Sequence, residues 1–183
     1  YSRIKGNQFF LTDEYLNGEV TFDGKVYKDL KLRYDILNDE LILWIERHPV
    51  IFMNKEMVEN FTLHYSGKDY YFFNAGNDST KILKGYINVA CAGNTSLYLK
   101  HGKTIQPLAV DGKYDLFYDQ YRVFLKMREE IVAVNSRKNF YKLLEDRESE
   151  LKTYIKSNKI KVSFKDPNSL IPVIDYYNKP SDL

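Results

Sequence analysis

Three histidines, one cysteine and several carboxylate pairs are the side chains of this 183-residue chain with the chemistry for acid–base, nucleophilic or metal work. His48, His64 and His101 are too few and too scattered to define a metal centre by spacing, because such a site needs carboxylate help and convergence in space. His64 falls on the polar side of an alternating stretch and His101 precedes Gly102 in an expected turn, so both read as solvated or locally hydrogen-bonded. Cys91 stands alone, can form no internal bridge, and reads as a small buried hydrophobe rather than a nucleophile. Asp39 with Glu40, Glu129 with Glu130, and Glu148 with Glu150 could serve acid–base chemistry only if the carboxyls of a pair faced one another. Neighbours on a strand point to opposite faces, so these pairs read as turn and surface residues. No Gly-x-Ser-x-Gly elbow, phosphate loop, dinucleotide fingerprint or His-Glu-x-x-His helix is present. The expectation is a non-enzymatic chain with no cofactor and no metal.

The aromatic residues suggest recognition instead. The chain holds 16 Tyr and 11 Phe against a single Trp, and tyrosines displayed on a flat sheet can stack on sugars or bases. Tyr70, Tyr71, Tyr118 and Tyr121 lie in the densest clusters and are the candidate surface or ligand aromatics. The competing expectation for them is core and cross-strand packing.

The elements that would position these groups are mainly strands. From Glu19 to Ile45 two hairpin signals follow one another. Asp23-Gly24 is a turn pair that accepts positive φ. After it Leu30, Leu32, Tyr34 and Ile36 alternate with Lys31, Arg33 and Asp35, and Leu41, Leu43 and Ile45 resume the period after the Asn38-Asp39 turn. This predicts a three-stranded meander. Phe61, Leu63 and Tyr65 alternate up to a Ser66-Gly67 turn, and the aromatic run Tyr70 to Phe73 follows. The stretch from Asn74 to Thr80 reads as a loop. Strands are then expected over Tyr86 to Ala90 and Leu97 to Lys100, the latter turning at His101-Gly102, with another turn at Asp111-Gly112. A last hairpin over Tyr121 to Met127 and Glu130 to Val134 turns at Arg128-Glu129.

Near Ser136 the period changes from two to about 3.6. Phe140, Leu143 and Leu144 share a helical face behind a Ser136 cap, and Leu151, Tyr154 and Ile155 repeat the pattern in a helix ending near Asn158. After an extended piece, Ile160 to Phe164, Asn168 is the expected cap of a third helix, whose Pro172 is tolerated because it sits near the first turn. These patterns predict an α+β, mainly β chain: an antiparallel meander forming a sandwich or a curved open barrel, with two to three short C-terminal helices. One domain is expected over 1–183, with β structure over 1–135 and the helical segment 136–183 packed on it.

With 27 basic and 25 acidic residues, a net charge of +2, the chain carries no field for binding nucleic acid or an anionic membrane. No apolar run approaches the roughly 18 residues of a membrane span. The first residue, Tyr1, is not Met, which suggests a mature or trimmed chain, and any export signal would have been lost with the missing piece.

Two blocks carry a resemblance. Phe10-Leu11-Thr12-Asp13-Glu14-Tyr15, Gly18-Glu19-Val20, Asp23 to Tyr27, Leu32-Arg33-Tyr34-Asp35 and Asn38 to Leu41 form the first. Leu151, Tyr154-Ile155-Lys156, Lys159-Ile160 and Asp175-Tyr176-Tyr177-Asn178 form the second. Together they cover about a third of the chain and resemble a group of uncharacterised exported proteins from Bacteroidetes, while 48–118 match only loosely. The resemblance implies a cell-envelope location, periplasmic or outer-membrane associated, and carries no site residues with it. Asp78-Ser79-Thr80 resembles the O-glycan acceptor triplet of exported proteins in that phylum. Asn60-Phe-Thr62, Asn77-Asp-Ser79 and Asn94-Thr-Ser96 match the eukaryotic N-glycosylation sequon, which in a bacterium is coincidental.

The expected function is a non-enzymatic cell-envelope protein with a structural or protein-interaction role. The alternative is a binding module or carrier for a small apolar or glycan ligand, since a curved sheet with helices over its opening can enclose a cavity. The partner is accordingly another protein or, in the alternative, a small ligand. Oligomeric state and strand order are not encoded in any of these patterns.

Overall fold

The computed structural model describes residues 4–76 and 82–180. Along the chain come β1 (Ile4–Lys5), β2 (Leu16–Phe22), β3 (Lys25–Asp35), β4 (Glu40–Trp44), β5 (Ile51–Phe52), β6 (Val58–Tyr65), β7 (Lys68–Asn74) and β8 (Tyr86–Cys91). Then follow β9 (Thr95–Val110), β10 (Tyr114–Met127), β11 (Glu130–Val134), α1 (Arg137–Leu143), α2 (Glu148–Ser157) and α3 (Ile171–Tyr177). The strands form one open sheet in the order β1-β10-β9-β8-β7-β6-β2-β3-β4-β5, with β11 on β10. The mainly β class, the antiparallel meander and the three short C-terminal helices are those expected from the sequence.

The turns are where local chemistry placed them. Asp23-Gly24, Ser66-Gly67 and Asp111-Gly112 all adopt positive φ at both residues, which tight hairpins require and which Gly accepts without penalty. Two meanders result, β2 to β5 and β6 onward, and antiparallel pairing of β2 with β6 joins them.

Two expectations are corrected. No turn forms at His101-Gly102; β9 runs straight through both residues, and Gly102 does not take positive φ. The reason is burial: His101 is only 7% exposed and its ring packs edge-on against Phe10 at 4.8 Å, which holds the chain extended. Asn168 does not cap the third helix. It lies inside a 3-10 turn, Pro167–Leu170, and α3 starts after it with no side-chain cap and Pro172 in its first turn.

The chain divides into two compact units, Tyr1–Asn88 with His101–Gln120, and Val89–Lys100 with Tyr121–Leu183. The core of the first unit is aromatic. Phe61 and Phe72 stack at 4.8 Å, and Tyr34 meets Phe61, Phe72 and Tyr86 edge-on at 5.1 to 5.6 Å. Each such pair adds about 1 kcal/mol to what burial alone supplies.

The second unit packs Leu97, Leu99, Val123 and Leu125 with Phe140, Leu144, Leu151 and Ile174 of the helical segment. Ser136 caps α1 as expected, its Oγ accepting from the Asn139 amide at 3.1 Å. The closing Tyr176-Tyr177-Asn178 is held by side-chain bonds. Asn178 donates to and accepts from the Thr95 backbone at 2.8 Å each, Tyr177 donates to Asp146, and Tyr176 donates to Glu150 while stacking on Tyr154. The tail pattern is therefore packing chemistry.

Candidate functional site

In the first unit, strand alternation and register build a row of exposed side chains on the face opposite the core. Leu32 and Tyr34 of β3 point inward, so Lys31 and Arg33 point outward. Register then places Trp44 opposite Lys31, Lys31 opposite Asn17, Asn17 opposite His64, and His64 opposite Asp69. Five adjacent strands thus contribute one exposed residue each. Lys31 Nζ donates to Asn17 Oδ1 at 2.7 Å, and His64 Nδ1 lies 2.7 Å from Asp69 Oδ1. The adjacent row runs Glu19, Thr62, Tyr71.

At the Trp44 end the segment before β2 folds over the sheet. Phe10 anchors it, buried in the core with its amide donating to the Tyr34 carbonyl at 2.9 Å. Outside, the Arg33 guanidinium lies between the Phe9 and Tyr15 rings, 3.9 and 4.3 Å from their centroids. It donates to the Asp13 carbonyl at 2.8 Å and to the Tyr15 hydroxyl at 3.3 Å. Arg33 therefore fastens Tyr15 beside Trp44, with ring centroids 6.4 Å apart and tilted by 42°. The neighbouring hairpin adds exposed apolar groups: Trp44 is 44% and Phe52 59% exposed, with Ile45 and Val50 between them. β5 ends the strand order, so this hairpin is the free edge of the sheet.

Of the four aromatics singled out by sequence, Tyr70 and Tyr71 lie on opposite faces of β7. Tyr70 faces the core and packs edge-on against Phe10 at 5.2 Å, whereas Tyr71 faces outward and is 41% exposed. Tyr118 is exposed on the first-unit part of β10. Tyr121 belongs to the second unit and lines a groove of about 180 Å³ with Phe124, Val134 and Phe164. Trp44, Tyr15 and Phe52 were missed. The one sequence signal available was a lone Trp at the end of an alternating strand.

The ionisable candidates are engaged elsewhere. His48 is exposed, and among the described residues no group of three His, Cys, Asp or Glu could hold a metal ion. Burial, followed by the hydrogen bond to Asp175, pushes the Cys91 thiol up to about 12, so it stays protonated at neutral pH. Glu148 pairs with Lys152 and Glu150 with Arg147, each at 2.5 Å. Glu129 and Glu130 sit at a hairpin tip, on an open groove of about 1030 Å³ in the second unit that also exposes Lys142, Asp146, Arg147 and Tyr177. Burial and the bond to Asp146 raise the Tyr177 hydroxyl to about 12. Both charge signs line this groove, and of its charged groups Arg147 is paired with Glu150 and Asp146 accepts from the Tyr177 hydroxyl.

One polar cluster escaped the sequence reading. Tyr34 donates to Asp39 Oδ1 at 2.5 Å, and Lys55 Nζ donates to Asp39 Oδ2 at 2.5 Å and to its carbonyl at 3.0 Å. Lys55 also lies 5.1 Å from the centroid of the Tyr86 ring. Burial first, and the Asp39 charge second, raise both tyrosine hydroxyls well above their ordinary value. Gly85 completes the cluster, since its φ is +66° and a Cβ there would overlap the Asp39 carboxylate. The cluster locks the β3–β4 turn.

Of the glycosylation triplets, Asn60 accepts a hydrogen bond from Thr21 within the sheet, and Thr95 and Ser96 are buried beside Asn94. Asn77-Asp-Ser79 and Asp78-Ser79-Thr80 lie outside the described residues. No helix among the described residues is long and apolar enough to cross a membrane. Comparison of the chain with protein-family models, with curated proteins and with solved structures gives no match.

Proposed function

We propose that this chain is a non-enzymatic protein-interaction module whose partner polypeptide docks on the β4–β5 hairpin. The reading is carried by the exposed apolar side chains of that hairpin, Trp44, Ile45, Val50 and Phe52, at the free edge of the sheet. Apolar groups clustered on a surface mark sites that a partner covers, and aromatic residues of this kind dominate binding energy when they enter a pocket. Covering the exposed parts of Trp44 and Phe52 removes about 200 Å² of apolar surface, worth about 5 kcal/mol before ordering costs. The absence of chemistry from the role is supported by the engagement of Cys91, Tyr34, Tyr86 and Tyr177 in internal bonds and packing. The resemblance of the two ends to exported proteins supports a partner within the cell envelope.

A photo-crosslinking residue placed at Phe52, and separately at the exposed Leu108, tests this in producing cells. A discrete adduct from position 52 and none from 108 is expected, in the envelope fraction. Equal yields from both positions, or none from 52, reject the docking surface, and a chain confined to the cytosolic fraction rejects the location.

A further inference from the structure

We propose that the outward row Asp69, His64, Asn17, Lys31, Trp44, completed by Tyr15, is a binding track for a neutral, flat oligosaccharide chain. This goes beyond protein docking on the hairpin and shares only Trp44 with it.

The track is built by register, with one exposed residue from each of five adjacent strands. At about 4.8 Å per strand it extends for about 19 Å, the scale of a short chain of sugar rings rather than of a single small molecule. Its two ends differ in chemistry. At one end Trp44 and Tyr15 form a tilted pair 6.4 Å apart, with Tyr15 fastened by the Arg33 stack. An aromatic face of this kind covers the C–H face of a pyranose ring, an apolar surface bounded by hydroxyls.

Along the rest of the row the side chains are polar groups already held by one another, Lys31 on Asn17 and His64 on Asp69. Those bonds fix the rotamers, and the exposed amide N–H groups of Asn17 and the second ring nitrogen of His64 are unengaged by the described residues. With Nδ1–H donating to Asp69, they offer amide donors and a ring-nitrogen acceptor to sugar hydroxyls at reduced ordering cost.

Charge selects the class of sugar. Lys31 and Arg33 are offset by Asp69 and the Glu19 of the adjacent row, leaving no net field for a sulfated or uronic chain. Shape selects the linkage, since an open sheet face suits a ribbon-like, equatorially linked chain better than a helical one. A polypeptide fits this row poorly, because a stable protein interface buries roughly 800 Å² per partner around an apolar centre rimmed by polar groups. Here apolar contact is confined to one end, and the neighbouring row adds Glu19 and Thr62 with Tyr71 at its far side.

Trp44 is the only Trp of the chain, so its fluorescence reports the site directly. The intact protein is titrated with cellohexaose, xylohexaose and chitohexaose as equatorially linked probes and with maltohexaose as the helical control. Isothermal calorimetry serves as a second readout. A saturable change in Trp44 emission is expected with at least one of the first three, at a Kd between roughly 10 μM and 1 mM, and none with maltohexaose. Asn17→Ala and His64→Ala, both at exposed positions and checked for unchanged melting, are each expected to weaken binding about ten-fold. Tyr118→Ala and Phe52→Ser are expected to leave it unchanged.

No saturable response to any equatorially linked probe up to roughly 10 mM overturns the proposal. So does equal binding of maltohexaose, or binding indifferent to both row substitutions. Loss of the Phe52 crosslink in Asn17→Ala and His64→Ala would assign the row to the protein partner instead, whereas sugar binding without any Phe52 adduct would reject only the docking hairpin.

Discussion

Tyr34→Phe removes one oxygen from the interior of the first unit and should change both the size and the pH dependence of its stability. The hydroxyl is buried, with Tyr34 only 1% exposed, and donates to the Asp39 carboxylate at 2.5 Å. A hydrogen bond to a charged acceptor contributes about 2 kcal/mol, and Asp39 retains Lys55 as its other donor. A loss of about 2 kcal/mol, or about 6 °C in Tm for a chain of this size, is expected. The pH signature is more specific. Because the folded state holds the Tyr34 hydroxyl above its ordinary value of 10.0, the unfolded chain releases that proton first as pH rises. The stabilising contribution is complete below pH 10 and declines above it, by about 1.4 kcal/mol per pH unit for each such tyrosine, until the folded group also ionises. Tyr86 behaves in the same way and remains in the variant. Urea unfolding followed by Trp44 fluorescence, at intervals from pH 8 to about pH 11.5, should therefore give equal slopes up to about pH 10 and, above it, a wild-type slope steeper than that of Tyr34→Phe by about 1.4 kcal/mol per pH unit. Parallel curves, or a loss at pH 8 below about 0.5 kcal/mol, would show that the hydroxyl and Asp39 are not coupled as described.

Two more substitutions probe the same unit. Phe72→Ala should cost about 3 to 5 kcal/mol, because the ring is fully buried among Phe61, Tyr34 and Phe10, whereas the outward-facing Tyr71→Ala should cost less than about 1 kcal/mol by the same urea assay; equal costs would mean the register of β7 is wrong. Gly85→Ala should cost about 2 to 3 kcal/mol through its positive φ and its overlap with Asp39, and the double substitution with Asp39→Ala should cost less than the sum of the two, additivity being the result against a shared contact.

The resemblance and the turn chemistry concern different levels of the molecule. The blocks at the two ends consist of turn pairs, core positions and the tail residues that Thr95, Asp146 and Glu150 hold in place. The exposed row lies mostly outside them: Asn17 and Lys31 each abut a block without belonging to it, Trp44, His64 and Asp69 have no counterpart there, and only Tyr15, which completes the row, lies inside one.

By itself the sequence determined the features that depend on a few neighbouring residues. Asp23-Gly24, Ser66-Gly67 and Asp111-Gly112 turn because positive φ is a local property, β3 alternates because its pleat has a period of two, and Ser136 starts a helix because its own hydroxyl reaches the Asn139 amide. Tertiary structure decided whatever needed a partner distant along the chain. Phe10 and Phe72 bury His101 and turn an expected hairpin corner into continuous strand, Lys55 and Gly85 convert an ordinary Asn-Asp turn into a locked cluster, and pairing of β2 with β6 lines up Asn17 with His64. Alternation tells which residues of one strand share a face. Only the order and register of the strands tell which residues of different strands meet, and a recognition surface on a sheet is made from that second kind of neighbour.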